Sequence, residues 1–111
     1  MSSIAKTPKP PYYAVIFTSI KNKDADGYNE ISVRMVELAS QQPGFLGIES
    51  ARNEIGITIS YWESEAAFMN WKKNTEHLIA QQMGKEKWYQ YFRERVCKVE
   101  REYGTEKKEK K

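Results

Sequence analysis

Apolar positions along the chain alternate between a two-residue period and a helical one. Residues 12–20, YYAVIFTSI, are apolar on both alternating faces, with Tyr12, Ala14 and Ile16 on one and Tyr13, Val15 and Phe17 on the other. This predicts a strand covered on both sides. Apolar residues then recur at Tyr28, Ile31, Met35, Leu38 and Ala39, with Ser32, Arg34 and Glu37 turned away. That is an amphipathic helix of about four turns. Asp24 or Asp26 is placed to cap it and Pro43-Gly44 to stop it. Residues 45–52 and 57–62 read as two strands joined by the turn residues 53–56. Ser64 then caps a second helix that carries Glu65 in its first turn. Its stripe is Ala67, Trp71, Asn74, Leu78 and Gln82, with Phe68 and Thr75 bordering one side and His77 and Gln81 the other. Gly84 is placed to end it. Residues 91–103 alternate again, with Tyr91, Arg93, Arg95, Cys97 and Val99 on one face and Phe92, Glu94 and Val96 on the other.

The order β-α-β-β-α-β predicts an α+β, ferredoxin-like domain over residues 12–103, a four-stranded antiparallel sheet with both helices on one face. Two helices cover only one side of a sheet. The first strand is apolar on both sides, so the other face is expected to meet a second copy in a two-fold homodimer. Residues 1–11, with Pro8, Pro10 and Pro11, read as an extended lead-in, and residues 104–111 as a charged, disordered tail.

Charge changes this picture little. The formal net charge is +3, yet two lysines in the lead-in and a surplus of two in the tail leave residues 11–103 at −1. That gives no case for nucleic acid or an anionic membrane as partner. The lead-in has no apolar signal core and nothing approaches a membrane span, so a cytoplasmic location is expected. The single cysteine, Cys97, allows no internal disulfide and reads as a buried strand residue. Glycine-rich phosphate loops, nucleophile elbows and clustered metal ligands are absent from the sequence, so no metal is expected.

Candidate chemistry concentrates in residues 57–80, ITISYWESEAAFMNWKKNTEHLIA, where a strand passes directly into a helix. This stretch holds two of the three tryptophans and the only histidine. His77 is the candidate base, a free imidazole having its pKa near neutrality, although a helix-edge residue explains it equally well. Trp71 and Phe68 offer apolar walls, and core packing alone accounts for an indole at position 71. Asn74, the amide within the stripe, needs a partner, which is either backbone or ligand. Trp62 and Tyr61 point to opposite sheet faces, so at most one lines a helix-side pocket. Arg95, with Arg93, requires a partner if buried, and Glu49, Glu63 or an anionic substrate would serve. Trp88-Tyr89 either closes a pocket mouth or covers a sheet edge.

The chain resembles the antibiotic biosynthesis monooxygenase superfamily of dimeric α+β barrels. The resemblance rests on QPGFLGIES, ITISYWES, AFMNWKKNTEHLIAQ and WYQYFRERVCKVEREY. It is most specific for a bacterial subgroup with G-x-T-x-S-Y-W-x-S (residues 56–64), W-K-x-x-x-E-H (71–77), A-Q (80–81), W-Y (88–89) and V-E-R-x-Y (99–103). It implies a homodimeric, cofactor-independent monooxygenase acting on a small aromatic or quinone-like compound. Such a compound would lie among Trp71, Phe68, Trp62, Arg95 and Trp88, with His77 as base and Asn74 polarising a substrate oxygen. The haem-degrading members suggest an alternative with haem as cofactor. There the helix Trp is matched by Trp71, but the iron-ligating His position holds Gln81 and residues 12–20 contain no Asn. A non-catalytic ligand-binding dimer is the third reading.

Overall fold

The computed structural model describes residues 4–23, 27–82 and 88–105, and their side chains outside residues 76–82. The elements follow in the expected order: β1 Tyr12–Lys21, α1 Tyr28–Ser40, β2 Phe45–Arg52, β3 Gly56–Trp62, α2 Glu65–Gln82 and β4 Tyr89–Val99. They form one four-stranded sheet ordered β2-β3-β1-β4 with every pairing antiparallel. This is the ferredoxin-like arrangement, with β1 in the interior between β3 and β4.

The register places Tyr13 opposite Trp62 and Lys98, Val15 opposite Ser60 and Val96, and Phe17 opposite Thr58 and Glu94. These residues face the helices. Val15, Ala39, Trp62 and Phe68 form the buried core there, with Tyr13, Phe45, Ala67 and Trp71 packed around them. Trp62 is fully buried, and its indole N–H donates to Ser60 Oγ at 2.9 Å. The Phe45 and Phe68 rings approach it at 5.4 and 6.1 Å. Burial of these rings against the sheet supplies the main drive for docking α2.

Helix ends differ from the sequence reading at one terminus. Ser64 caps α2 as expected, its Oγ accepting from the Ala67 N–H at 3.1 Å. The N-cap of α1 is Gly27, at φ 80°, with no side-chain cap. A left-handed residue there turns the chain into the helix without a carboxylate, and Asp24 and Asp26 lie outside the described residues. Gly44 supplies the other left-handed turn, at φ 87°, where a Cβ would stand 2.7 Å from the Ala67 Cβ. The bend between α1 and β2 therefore presses directly on the first turn of α2. The proposed stop of α2 at Gly84 also lies outside the described residues.

β4 ends at Val99, earlier than its alternation predicts. Val99 pairs with Tyr12, the first residue of β1, so residues beyond it have no strand to bond. Residues 100–105 are exposed, and Tyr103 is 90% so.

The face away from the helices is partly covered by the chain itself. The lead-in crosses it: the Ala5 N–H donates to Glu49 Oε2 at 2.9 Å, and a Cβ on Gly47 would come within 2.9 Å of the Ala5 Cβ. Tyr61 donates to Glu49 Oε1 at 2.7 Å, and Tyr12 and Thr7 both donate to Glu102. Burial, then the Glu49 carboxylate, pushes the Tyr61 hydroxyl well above the ordinary phenol range. Burial, then Glu102, does the same at Tyr12, while the two hydroxyls hold Glu102 below the usual carboxylate range. The rest of this face stays open, including Ile20, Ile57 and Tyr91, at 36%, 43% and 54% exposure. Cys97 is exposed here too, against the expectation of a buried thiol. It lies on the edge strand, on the side that no helix covers.

Candidate active site

A cavity of about 130 Å³ lies between the sheet and the two helices. Val15 and Phe17 of β1, Ile48 of β2, and Thr58 and Ser60 of β3 form its floor. Tyr28, Ser32, Met35, Val36 and Ala39 of α1 make one wall, and Trp71, Lys72 and Thr75 of α2 the other. Tyr89 and Glu94 of β4 complete it. Val36 lines the cavity and is 42% exposed, so the space reaches solvent beside α1. Ser32 was expected to face away from the core. It is half-buried at the cavity because α1 leans its Tyr28–Ser32–Met35 edge toward the sheet. An apolar cavity of about 150 Å³ holds a benzene-sized guest, so the space matches a single ring.

The polar groups of the lining are few and mostly committed. Thr75 Oγ1 donates to backbone carbonyls in its own helix, at Trp71 and Lys72. Ser60 Oγ accepts from Trp62. Tyr89 donates to the Tyr28 hydroxyl across 3.4 Å, and Arg52 reaches the same oxygen at 3.4 Å. Burial, then that bond, pushes the Tyr89 hydroxyl far up from its ordinary value. The Lys72 ammonium is ion-paired with the Glu94 carboxylate, their side chains 29% and 18% exposed. The indole N–H of Trp71 is buried without a hydrogen-bond partner among the described residues. A buried donor of that kind is rare and marks either strain or an absent acceptor.

Of the candidate site residues singled out from sequence, Trp71 and Tyr89 line this cavity among the described side chains. Trp62 and Phe68 stand behind Trp71, with ring centroids 5.6 and 6.1 Å from its own. They fix the Trp71 wall without reaching the space. Trp88 is buried, its carbonyl accepting from the Asn22 N–H, while its neighbour Tyr89 enters the lining. Arg95 is exposed on the opposite sheet face, paired in register with Ile16, so it needs no buried counter-charge. Arg93 is likewise exposed, its Nε donating to Tyr91. Asn74 is exposed, because the buried stripe of α2 centres on Phe68 and Thr75 rather than on Trp71 and Asn74. Packing of Phe68 against Trp62 sets that rotation of the helix. His77 belongs to α2, but its side chain lies outside the described residues.

Tyr28, Lys72 and Glu94 were not selected from the sequence, and Tyr89 was raised only with Trp88, as a pocket mouth or a sheet-edge cover. One signal was available: Glu94 is the acid between the apolar Phe92 and Val96 on one face of its strand. Phe68, Lys72 and Thr75 follow at helical spacing, which turns Lys72 toward the same layer.

A strand-to-helix pocket beneath Trp71 in a ferredoxin-like domain defines a class, and the sequence comparison agrees with it. The model of the antibiotic biosynthesis monooxygenase family matches residues 11–83, and the chain belongs to that family. It is similar to the uncharacterised protein YqjZ of Bacillus subtilis (strain 168), with 50% identity over 104 residues, 92% of this chain and 91% of that one. Its fold is also similar to that of SnoaB, a cofactor-independent oxygenase from Streptomyces nogalater. There the TM-score is 0.67 at 10% identity, covering 84% of this chain and 97% of the other. PA3566 from Pseudomonas aeruginosa gives a TM-score of 0.64 at 18% identity, covering 86% and 99%. No described helix is long and apolar enough to cross a membrane.

Proposed function

We propose that this protein is a cofactor-independent monooxygenase acting on a small aromatic or quinone-like compound held in the cavity beneath Trp71. The observation that carries the reading is a ring-sized apolar space walled by an indole whose buried N–H lacks an acceptor. A substrate oxygen would supply that acceptor while its ring fills the space. In the reaction a base removes a proton, the resulting carbanion or phenolate reacts with oxygen, and the substrate itself supplies the electrons. One oxygen atom stays in the product as a carbonyl and the other leaves as water. His77 is the proposed base for the carbon-bound proton, imidazole being the side chain suited to that exchange near neutral pH. Asn74 has no part in this reading, since it is exposed. Haem remains the alternative cofactor, against which stand Gln81 at the iron-ligating position and the lack of Asn in residues 12–20.

The reading extends to assembly. Ile20, Ile57 and Tyr91 leave an apolar patch on the sheet face that the lead-in does not cover. A second copy packed there would bury it in a two-fold homodimer.

Oxygen consumption with single-ring hydroquinones, measured above the autoxidation blank, tests the function. The expected result is uptake that falls at least about tenfold in Trp71→Ala, a loss of about 1.4 kcal/mol of transition-state stabilisation. His77→Ala is expected to lower kcat with little change in KM. Absence of both uptake and ring binding would overturn the reading.

A further inference from the structure

We infer that Lys72 and Glu94 form a binding site for a phenolic or enolic hydroxyl, with the Glu94 carboxylate accepting a hydrogen bond from its O–H and the Lys72 ammonium donating one to its oxygen. The inference rests on the pocket reading above and names the substrate group that the pocket selects. Lys72 and Glu94 are the only charged residues among the described lining, and they come from different elements, α2 and β4. They stand beside Phe17, which pairs with Glu94, and Trp71, which precedes Lys72.

The fold has little need of this pair. Two charges drawn partly out of water lose hydration that their attraction only roughly restores, and well-packed apolar residues do as well. Placed at a ring-sized cavity, the pair has a chemical use. A carboxylate ligand would be repelled by Glu94, and an amine by Lys72. A bare carbonyl satisfies Lys72 alone. A hydroxyl on a ring satisfies both, since its O–H donates to the carboxylate while its oxygen accepts from the ammonium. A second anion beside the Glu94 carboxylate is disfavoured, so the group is held as the un-ionised hydroxyl.

Other titratable groups facing the pair are Tyr28 from α1 and Tyr89 from β4. Lys21 and Arg52 lie over the Tyr28 ring, at 4.9 and 5.7 Å from its centroid. The lining positions of β1, β2 and β3 carry no titratable group.

The probes are 4-nitrophenol, colourless as the acid and yellow as the anion, and nitrobenzene, the same ring without the hydroxyl. They are used about one pH unit below the solution pKa of the phenol, where roughly a tenth of it is ionised. The wild-type protein is expected to bind 4-nitrophenol at least about tenfold more tightly than nitrobenzene, and in its colourless form, because the Glu94 carboxylate disfavours a second anion. In Glu94→Gln the bound probe is expected to turn yellow, since Lys72 then lacks its counter-ion and holds the phenolate. In Lys72→Met it is expected to stay colourless and to lose most of its advantage over nitrobenzene. Binding itself is followed by quenching of tryptophan fluorescence. If the wild type binds both probes equally, or both variants match the wild type in colour and preference, the pair is only a strut and the inference falls while the pocket stands. If neither probe binds, the pocket reading falls and takes the inference with it. The wild-type preference decides the matter even if a variant fails to fold.

Discussion

Gly44 and Ala67 meet where the bend into β2 crosses the first turn of α2. Gly44 carries a left-handed φ of 87°, and a Cβ there would lie 2.7 Å from that of Ala67. Gly44→Ala therefore combines backbone strain with a clash and is expected to cost about 1–3 kcal/mol. Urea denaturation measures it, and Ala67→Gly should recover the clash but not the strain. Equal losses in the single and double variants would show that the contact carries no weight. The bend and its glycine were legible, since Pro-Gly after an amphipathic run reads as a stop. Ala67 as the residue it presses on was not, because the contact joins positions far apart in sequence. Asn74 shows the same limit from the other side. The helical period admits a stripe through Trp71 and Asn74 as well as one through Phe68 and Thr75. The indole of Trp62 on β3 selects the second.

Elements are held by features of different reach. Ser64 is a local cap, found correctly from sequence, and Ser64→Ala is expected to destabilise the protein by about 1 kcal/mol by freeing the Ala67 N–H. The lead-in is held by distant partners. Thr7 and Tyr12 donate to Glu102, whose carboxyl is thereby held below its usual range. The folded group binds its proton less readily than the unfolded one. Its contribution is therefore present above the ordinary carboxylate pKa and is lost as the pH falls through the lower folded value. The amide resonances of residues 5–7 should shift with pH in that acidic window, and Glu102→Gln should abolish the titration. An unchanged titration in that variant would place the anchor elsewhere. Sequence alone assigned residues 1–11 to an extended segment. Its course over the sheet depends on Gly47 and Glu49, which become neighbours of Ala5 only when the sheet is formed.

At the scale of the molecule, the open part of the outer sheet face carries the prediction. With Ile57 at 43% exposure in the patch beside Ile20, Ile57→Lys places a charge where the proposed partner would pack. Sedimentation is expected to give a dimer for the wild type at micromolar concentration and a monomer for the variant, with the fold intact by circular dichroism. A wild-type monomer would remove the facing-sheet assembly. The cavity lies on the other side of the sheet from this patch.

The sequence by itself determined the order of elements, the cap of α2 and the family. Each is written in local periodicity, in turn residues, or in a motif of fixed spacing. Tertiary structure decided what lies around Trp71. A pocket is the space left between surfaces, and the rotation of α2, the lean of α1 and the register of β4 set that space together. That is why Lys72 and Glu94, far apart in the chain, meet at the cavity, while Asn74 and Arg95, equally plausible on periodicity, face solvent.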